Sequence, residues 1–283
     1  MKSCKLIPGL VAMTAVFALA CGSDSNGGGT DVVADPGKPN DPGPTIDQGK
    51  TDTPMQMVTF KAVVKDNLTK AVIEGAEVTA IDNDTGDMLT YQTLSDGQGN
   101  IAMEVPADHE LLGFRVTADL FKDTYQFNID SDAQDEEIWA VSVNGFEMAA
   151  GLAGFVPDKT KSVVAGAIYW VNEAGEEEYV SCGHVVADPA GEYRYFDEFT
   201  GLPAPLADVP HTMAGKGEGR FVVGNVPPGL VTLTTYFGDD PASTDDFIGT
   251  AKFFAYPDSI AITNVYADKD KYPAENPSPA TCE

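Results

Sequence analysis

Histidine, cysteine and tryptophan are nearly missing from this 283-residue chain, which holds three, four and two of them, and positive charge is scarce, with 17 Lys and Arg against 44 Asp and Glu. Each shortage excludes something. The histidines, His109, His184 and His211, stand far apart in sequence and in none of the spacings (H-E-x-x-H, H-x3-H) that converge on a catalytic zinc. There is no Gly-x-Ser-x-Gly elbow, phosphate loop or Cys-His pairing, so the chain reads as a non-enzyme with no metal and no cofactor. A formal net charge of −27, with no basic stripe interleaved with aromatics, makes nucleic acid an unsuitable partner. Nor is there an apolar run of the roughly 20 residues that a membrane-crossing helix needs.

What is present begins with a leader. Lys2 and Lys5 precede Leu6–Ala20, a stretch without charge and too short to span a bilayer, in the arrangement of a secretory signal. Its removal takes away two cations and moves the formal charge from −27 to −29. Residues 22–56 are Gly, Pro, Asp, Ser and Thr with scattered apolar positions, unable to bury a core. As a flexible charged coil they span roughly 30 Å, enough to lift a folded body off a surface.

The junction Ala18-Leu19-Ala20-Cys21-Gly22 resembles the lipobox of bacterial lipoproteins, with alanine at the third position before the cysteine where leucine is usual. The resemblance implies cleavage before Cys21, its lipidation, and a partnership with membrane lipid. An ordinary secretory cleavage after Ala20 is the alternative, and both export the chain. Gly22 in place of aspartate points, by the same resemblance, to the outer membrane. With Cys4 lost and Cys21 acylated, Cys182 and Cys282 remain, and an oxidising compartment invites one bridge between them, the alternative being two unpaired thiols.

From Val58 the pattern turns to alternation, and short strands are expected at 76–81, 88–94, 101–105, 114–118, 125–129 and 138–143. Turn clusters such as Asp82–Asp87 and Ser95–Asn100 separate them. Helical spacing over 145–153, ending near Gly154, predicts a short connector. A second set of strands follows at 162–171, 179–187, 219–223, 230–237, 248–255 and 260–266. Gly97-Gln98-Gly99-Asn100 through Pro106 is echoed by Gly217-Glu218-Gly219-Arg220 through Pro227, a glycine turn, a strand and a proline exit used twice.

These motifs, with Gly75–Ala80 and Thr93–Gly99 in the first copy and Asn225–Gly229 in the second, resemble the carboxypeptidase regulatory-like domain. The resemblance implies an all-β chain of two tandem transthyretin-like β-sandwiches. The expected layout is a signal peptide (1–20), a lipidated disordered linker (21–56), sandwich 1 with the connector helix (57–157), sandwich 2 (158–270) and a flexible tail (271–283). The function that goes with it is a lipid-anchored, exported, non-catalytic spacer or binding module of the surface or periplasm. Its alternative is carbohydrate binding, to cell-surface polysaccharide or in adhesion, and the partner beside lipid is then polysaccharide or another surface protein.

Two groups of side chains invite ligand readings. Asp82, Asp84 and Asp87, then Asp130, Asp132 and Asp135, then Asp239, Asp240, Asp245 and Asp246 offer hard oxygens. None has the twelve-residue calcium-loop pattern, and solvated turns explain them better. Tyr193–Phe199 opens a long loop in the second half, where Phe196 and Phe199 are the candidate ligand-binding residues and Tyr193 and Tyr195 share a face.

Overall fold

Alternation over Met57–Asp66 becomes the first strand (β1) of a computed structural model that describes residues 56–172, 175–206, 208–213, 217–238 and 246–268. The signal, Cys21, almost all of the linker, Cys282 and Asp239 to Asp245 lie outside the described residues. The fold is all-β, as expected. After β1 come β2 (Glu77–Asp82), β3 (Met88–Leu94), β4 (Asn100–Pro106), β5 (Leu111–Thr117), β6 (Phe121–Lys122), β7 (Thr124–Asp130) and β8 (Glu136–Ser142), then an α-helix, α1 (Val143–Ala153). The strands resume as β9 (Ser162–Val171), β10 (Glu177–Tyr179), β11 (Gly183–Asp188), β12 (Glu192–Phe196), β13 (Pro203–Ala204), β14 (Arg220–Val226), β15 (Gly229–Phe237), β16 (Phe247–Ala255), β17 (Ser259–Ile262) and β18 (Val265–Tyr266).

In the first half a sheet of order β4-β1-β8-β6 faces one of order β7-β5-β2-β3. Phe60 of β1 stacks on Phe114 of β5 at 4.3 Å between centroids, and both are fully buried with Val64, Val78 and Ile138. The second half repeats the pattern of partners. β1 lies between β4, antiparallel, and β8, parallel; β9 likewise lies between β14, antiparallel, and β17, parallel. The glycine turns match too. Gly99 and Gly219 both have positive φ, 77° and 59°, and their carbonyls accept from Val64 and Ile168 on the respective first strands.

One strand departs from the repeat. In the first half β3 pairs with β2, whereas β12 leaves the corresponding strand, β11, and pairs with β14. The edge of β11 is then met by the backbone of Thr212 at Gly183 and by side chains along its length. Gly183, Val185 and Ala187 donate their amides to Thr212 Oγ1 (2.9 Å), Tyr195 Oη (2.9 Å) and Tyr193 Oη (3.0 Å). The two-residue period of β12 sets its phenols two residues apart, which is the period of the amides that they cover. Burial therefore explains the tyrosines of this segment: Tyr195 is a core ring with a polar duty.

The two halves share a sheet. β17 pairs in parallel with β9 on one side and with β7 on the other, so a sheet runs from β13 in the second half to β3 in the first. Tyr125 stacks on Tyr256 at 4.2 Å, and the Tyr256 hydroxyl donates to the Gly86 carbonyl. Asn128, at φ 63°, accepts from Asn83 and donates to Lys252 O and Thr263 Oγ1. Ile81, Tyr125 and Phe127 of the first half belong to the core of the second.

Two expected strands are broken. The stretch 179–187 divides at Val180–Cys182, where the chain leaves β10, paired to β9, and enters β11, paired to β15. Cys182 occupies that corner at φ 61°, buried and disulfide-bonded, and is not within a strand. The stretch 260–266 divides at Thr263 and Asn264 into β17 and β18. The connector helix is where its spacing put it. Ser142 caps its start by accepting from Gly145 N, and Gly154, left-handed at φ 70°, ends it.

Candidate functional site: an outward aromatic face

The sheet of β12, β14, β9, β10 and β18 turns one face to the core of the second half, where Tyr195, Phe221, Ile168, Val180 and Val265 are buried. By alternation the residues next to each of these point outward: Phe196, Arg220, Tyr169, Tyr179 and Tyr266. α1 covers one end of the outward face, with Ala150, Ala153 and Phe155 against Val163 and Val222. Arg194, from the same face, donates to the Ala153 carbonyl at the helix end at 2.5 Å, where a cation suits the partial negative charge.

Beyond the helix the face carries three tyrosines side by side. Tyr179 and Tyr266 both stand in register with Tyr169, and the ring centroids are 4.9 Å and 5.7 Å from it. Strands lie about 4.8 Å apart, and a ring lying flat is wider than that, so the three rings cannot all lie flat: Tyr266 stacks on Tyr169 at an interplanar angle of 25°, and Tyr179 is tilted against it at 35°. Tyr179 is 39% and Tyr266 46% exposed. The Tyr266 hydroxyl donates to Glu177 Oε1 at 2.8 Å. Burial, then the neighbouring phenols and Glu177, push Tyr169 far above the ordinary phenol range; burial and Glu177 do the same to Tyr266. Both remain neutral hydroxyls at physiological pH.

The rim is acidic. Glu136, at the start of β8, is raised above the ordinary carboxyl range by burial and by the nearby charges of Asp130, Glu177 and Glu137. Among the described residues no Lys or Arg forms an ion pair with Asp130, Glu136 or Glu177.

Phe196 lies on the same outward face, half-buried, with the Arg220 guanidinium 4.7 Å from its ring centroid and Glu218 3.4 Å from that guanidinium. Phe199 stands 74% exposed in the turn joining β12 to β13. The carboxylate of Asp197 shapes that turn by accepting from the amides of Phe199 and Thr200 and from the Thr200 hydroxyl. The three tyrosines were not singled out from sequence, although each falls on the outward phase of its strand.

The first aspartate loop, Asp82–Asp87, is a turn, as is Ser95–Asn100, while Asp239, Asp240 and Asp245 lie outside the described residues. The carboxylate of Asp82 accepts from the amides of Asp84 and Thr85, and that of Asp96 from Gln98 and Asn100. Burial alone would raise Asp82, but those amides outweigh it and hold the group below the ordinary carboxylate range; the Asn100 amide, first among its contacts, lowers Asp96 likewise. No group of three or more His, Cys, Asp or Glu able to hold a metal ion occurs among the described residues. His184 is buried and stacked on Tyr236 at 5.4 Å, and His211 Nδ1 lies 3.0 Å from the Thr212 carbonyl.

No protein-family model matches the chain, and no curated relative matches its sequence. Solved structures align over much of its length at low identity. The TIE protein of Bacillus anthracis aligns at 12% identity and a TM-score of 0.24, over 75% of this chain and 34% of that one. A streptococcal ancillary pilin aligns at 13% and 0.21, over 77% and 64%. The minor pilin GBS52 of Streptococcus agalactiae aligns at 9% and 0.22, over 80% and 99%. The chain thus spans about a third of TIE and under two thirds of the ancillary pilin. The topology given above rests on this chain's own hydrogen bonding.

Proposed function

We propose that this chain is an exported, lipid-anchored bacterial protein of the surface or periplasm, in which the folded part is a non-catalytic structural spacer or binding module. The observation that carries the spacer reading is the shared sheet: two hydrophobic cores joined through β17 resist bending in a way that two domains on a linker would not. Among the described residues no helix is long and apolar enough to cross a membrane. In this reading Cys21 takes the acyl chains, each buried CH₂ contributing about 0.8 kcal/mol, and the residues after it form the stalk. The outer membrane is the compartment that Gly22 favours.

Palmitate labelling tests the anchor. Wild type incorporates label and partitions with membranes, whereas Cys21→Ser incorporates none and is recovered soluble. Label that persists in Cys21→Ser would overturn it.

A further inference from the structure

We propose that the outward face formed by Tyr179, Tyr169 and Tyr266 docks an arginine- and lysine-rich segment of another protein. This deepens the binding-module reading and does not depend on the anchor.

Three observations select that occupant. First, the three rings cannot all lie flat at centroid separations of 4.9 Å and 5.7 Å, so the face offers phenol oxygens as acceptors and the half-exposed ring of Tyr266 as a cation–π surface, to which guanidinium and ammonium groups are suited. A flat sugar ring, by contrast, stacks best on rings that lie flat. Second, Glu177 accepts from Tyr266 at one oxygen, and a guanidinium can bind such a carboxylate while resting on the neighbouring ring. Third, Asp130, Glu136 and Glu177 form no ion pair with a Lys or Arg among the described residues, and a cationic segment supplies the missing charge. The same carboxylates repel teichoic-type, uronic-acid and nucleic-acid polymers. Rows of tyrosine are also what binding hot spots are made of, whereas exposed acids alone mainly steer approach.

A chain of such negative charge attracts any polycation diffusely, so the test must separate the rings from the charge. The probe is a peptide of four Lys-Arg repeats, titrated calorimetrically into residues 22–283 at about 0.15 M salt. Saturable 1:1 binding is expected. It should weaken at least tenfold in Tyr179→Leu with Tyr266→Leu, which leaves the net charge unchanged, and about threefold in Glu177→Gln, while Glu104→Gln on β4 should leave it as it was. Equal binding by the double tyrosine variant, or an equal loss in Glu104→Gln, would mean diffuse attraction and overturn the proposal. Hydrogen exchange on the wild type gives a reading free of folding effects: protection on peptide addition should centre on β10 and β18, and protection elsewhere or none overturns it. Binding that appears only after Lys269→Gln with Lys271→Gln would make the chain's own tail the occupant. Binding of a neutral glucan hexasaccharide in place of the peptide would return the face to carbohydrate. Neither result bears on palmitate labelling, so the anchor stands or falls separately.

Discussion

Tyr195 and Tyr193 illustrate how single hydroxyl groups carry structure here. Each phenol accepts from an amide of β11 that would otherwise face an unpaired edge. Tyr195→Phe keeps the ring and removes only the acceptor, leaving the Val185 amide buried and unsatisfied, so stability should fall by about 1–3 kcal/mol, read as a lower denaturant midpoint with an unchanged slope. Tyr193 is half-buried and water can replace its hydroxyl, so Tyr193→Phe should cost less. Equal midpoints for wild type and Tyr195→Phe would show that the edge needs no such cover. Cys182 makes a second expectation at this scale. It is disulfide-bonded, and the sequence's other cysteines, Cys4, Cys21 and Cys282, lie outside the described residues. We expect Cys282 as its partner in the mature chain, recovered joined to Cys182 in a non-reducing peptide map, with reductant lowering the unfolding midpoint; a free thiol at Cys282 would refute the pairing. That the residue stands at a corner was not legible in the sequence, because a left-handed backbone at a cysteine has no compositional mark.

Among the elements, the two glycine turns were the most legible and invite the sharpest comparison. A Cβ at Gly99 would lie 2.8 Å from the Val64 carbonyl oxygen, and at Gly219 2.9 Å from that of Ile168. Gly154, equally left-handed, has open space around it. Alanine should therefore cost about 2–3 kcal/mol at Gly99 and at Gly219 but about 1 kcal/mol at Gly154, where only backbone strain acts. Three equal midpoints would deny the close approach. Strands such as β3 and β9 were readable to the residue because alternation and flanking turns are local. The partner that β12 chooses was not, since pairing with β14 or β11 leaves the same alternating pattern. The aromatic row escaped for the same reason: alternation places each of Tyr169, Tyr179 and Tyr266 outward, but only register brings them side by side.

At the scale of the whole molecule, the seam makes the described residues one mechanical body with two cores. Its two tryptophans make this testable, because Trp139 lies on β8 in the first half and Trp170 on β9 in the second. In Trp170→Phe, fluorescence follows the first half alone, and in Trp139→Phe the second. In each variant it should change together with far-ultraviolet circular dichroism in a single transition. Two separated transitions would mean that the halves unfold independently. Sequence offered no sign of this union, since the parallel pairing of β7 with β17 joins Thr124 to Ile260, 136 residues further on, and a buried strand looks the same whichever neighbour it has. The order of synthesis gives the seam a further meaning. A chain emerging amino end first presents β7 long before β17 exists, and until then Thr124, Tyr125 and Gln126 have no neighbour along that edge. Completion of the shared sheet therefore waits for β17, and the first half must keep its β7 edge unpaired through the synthesis of nearly the whole second half.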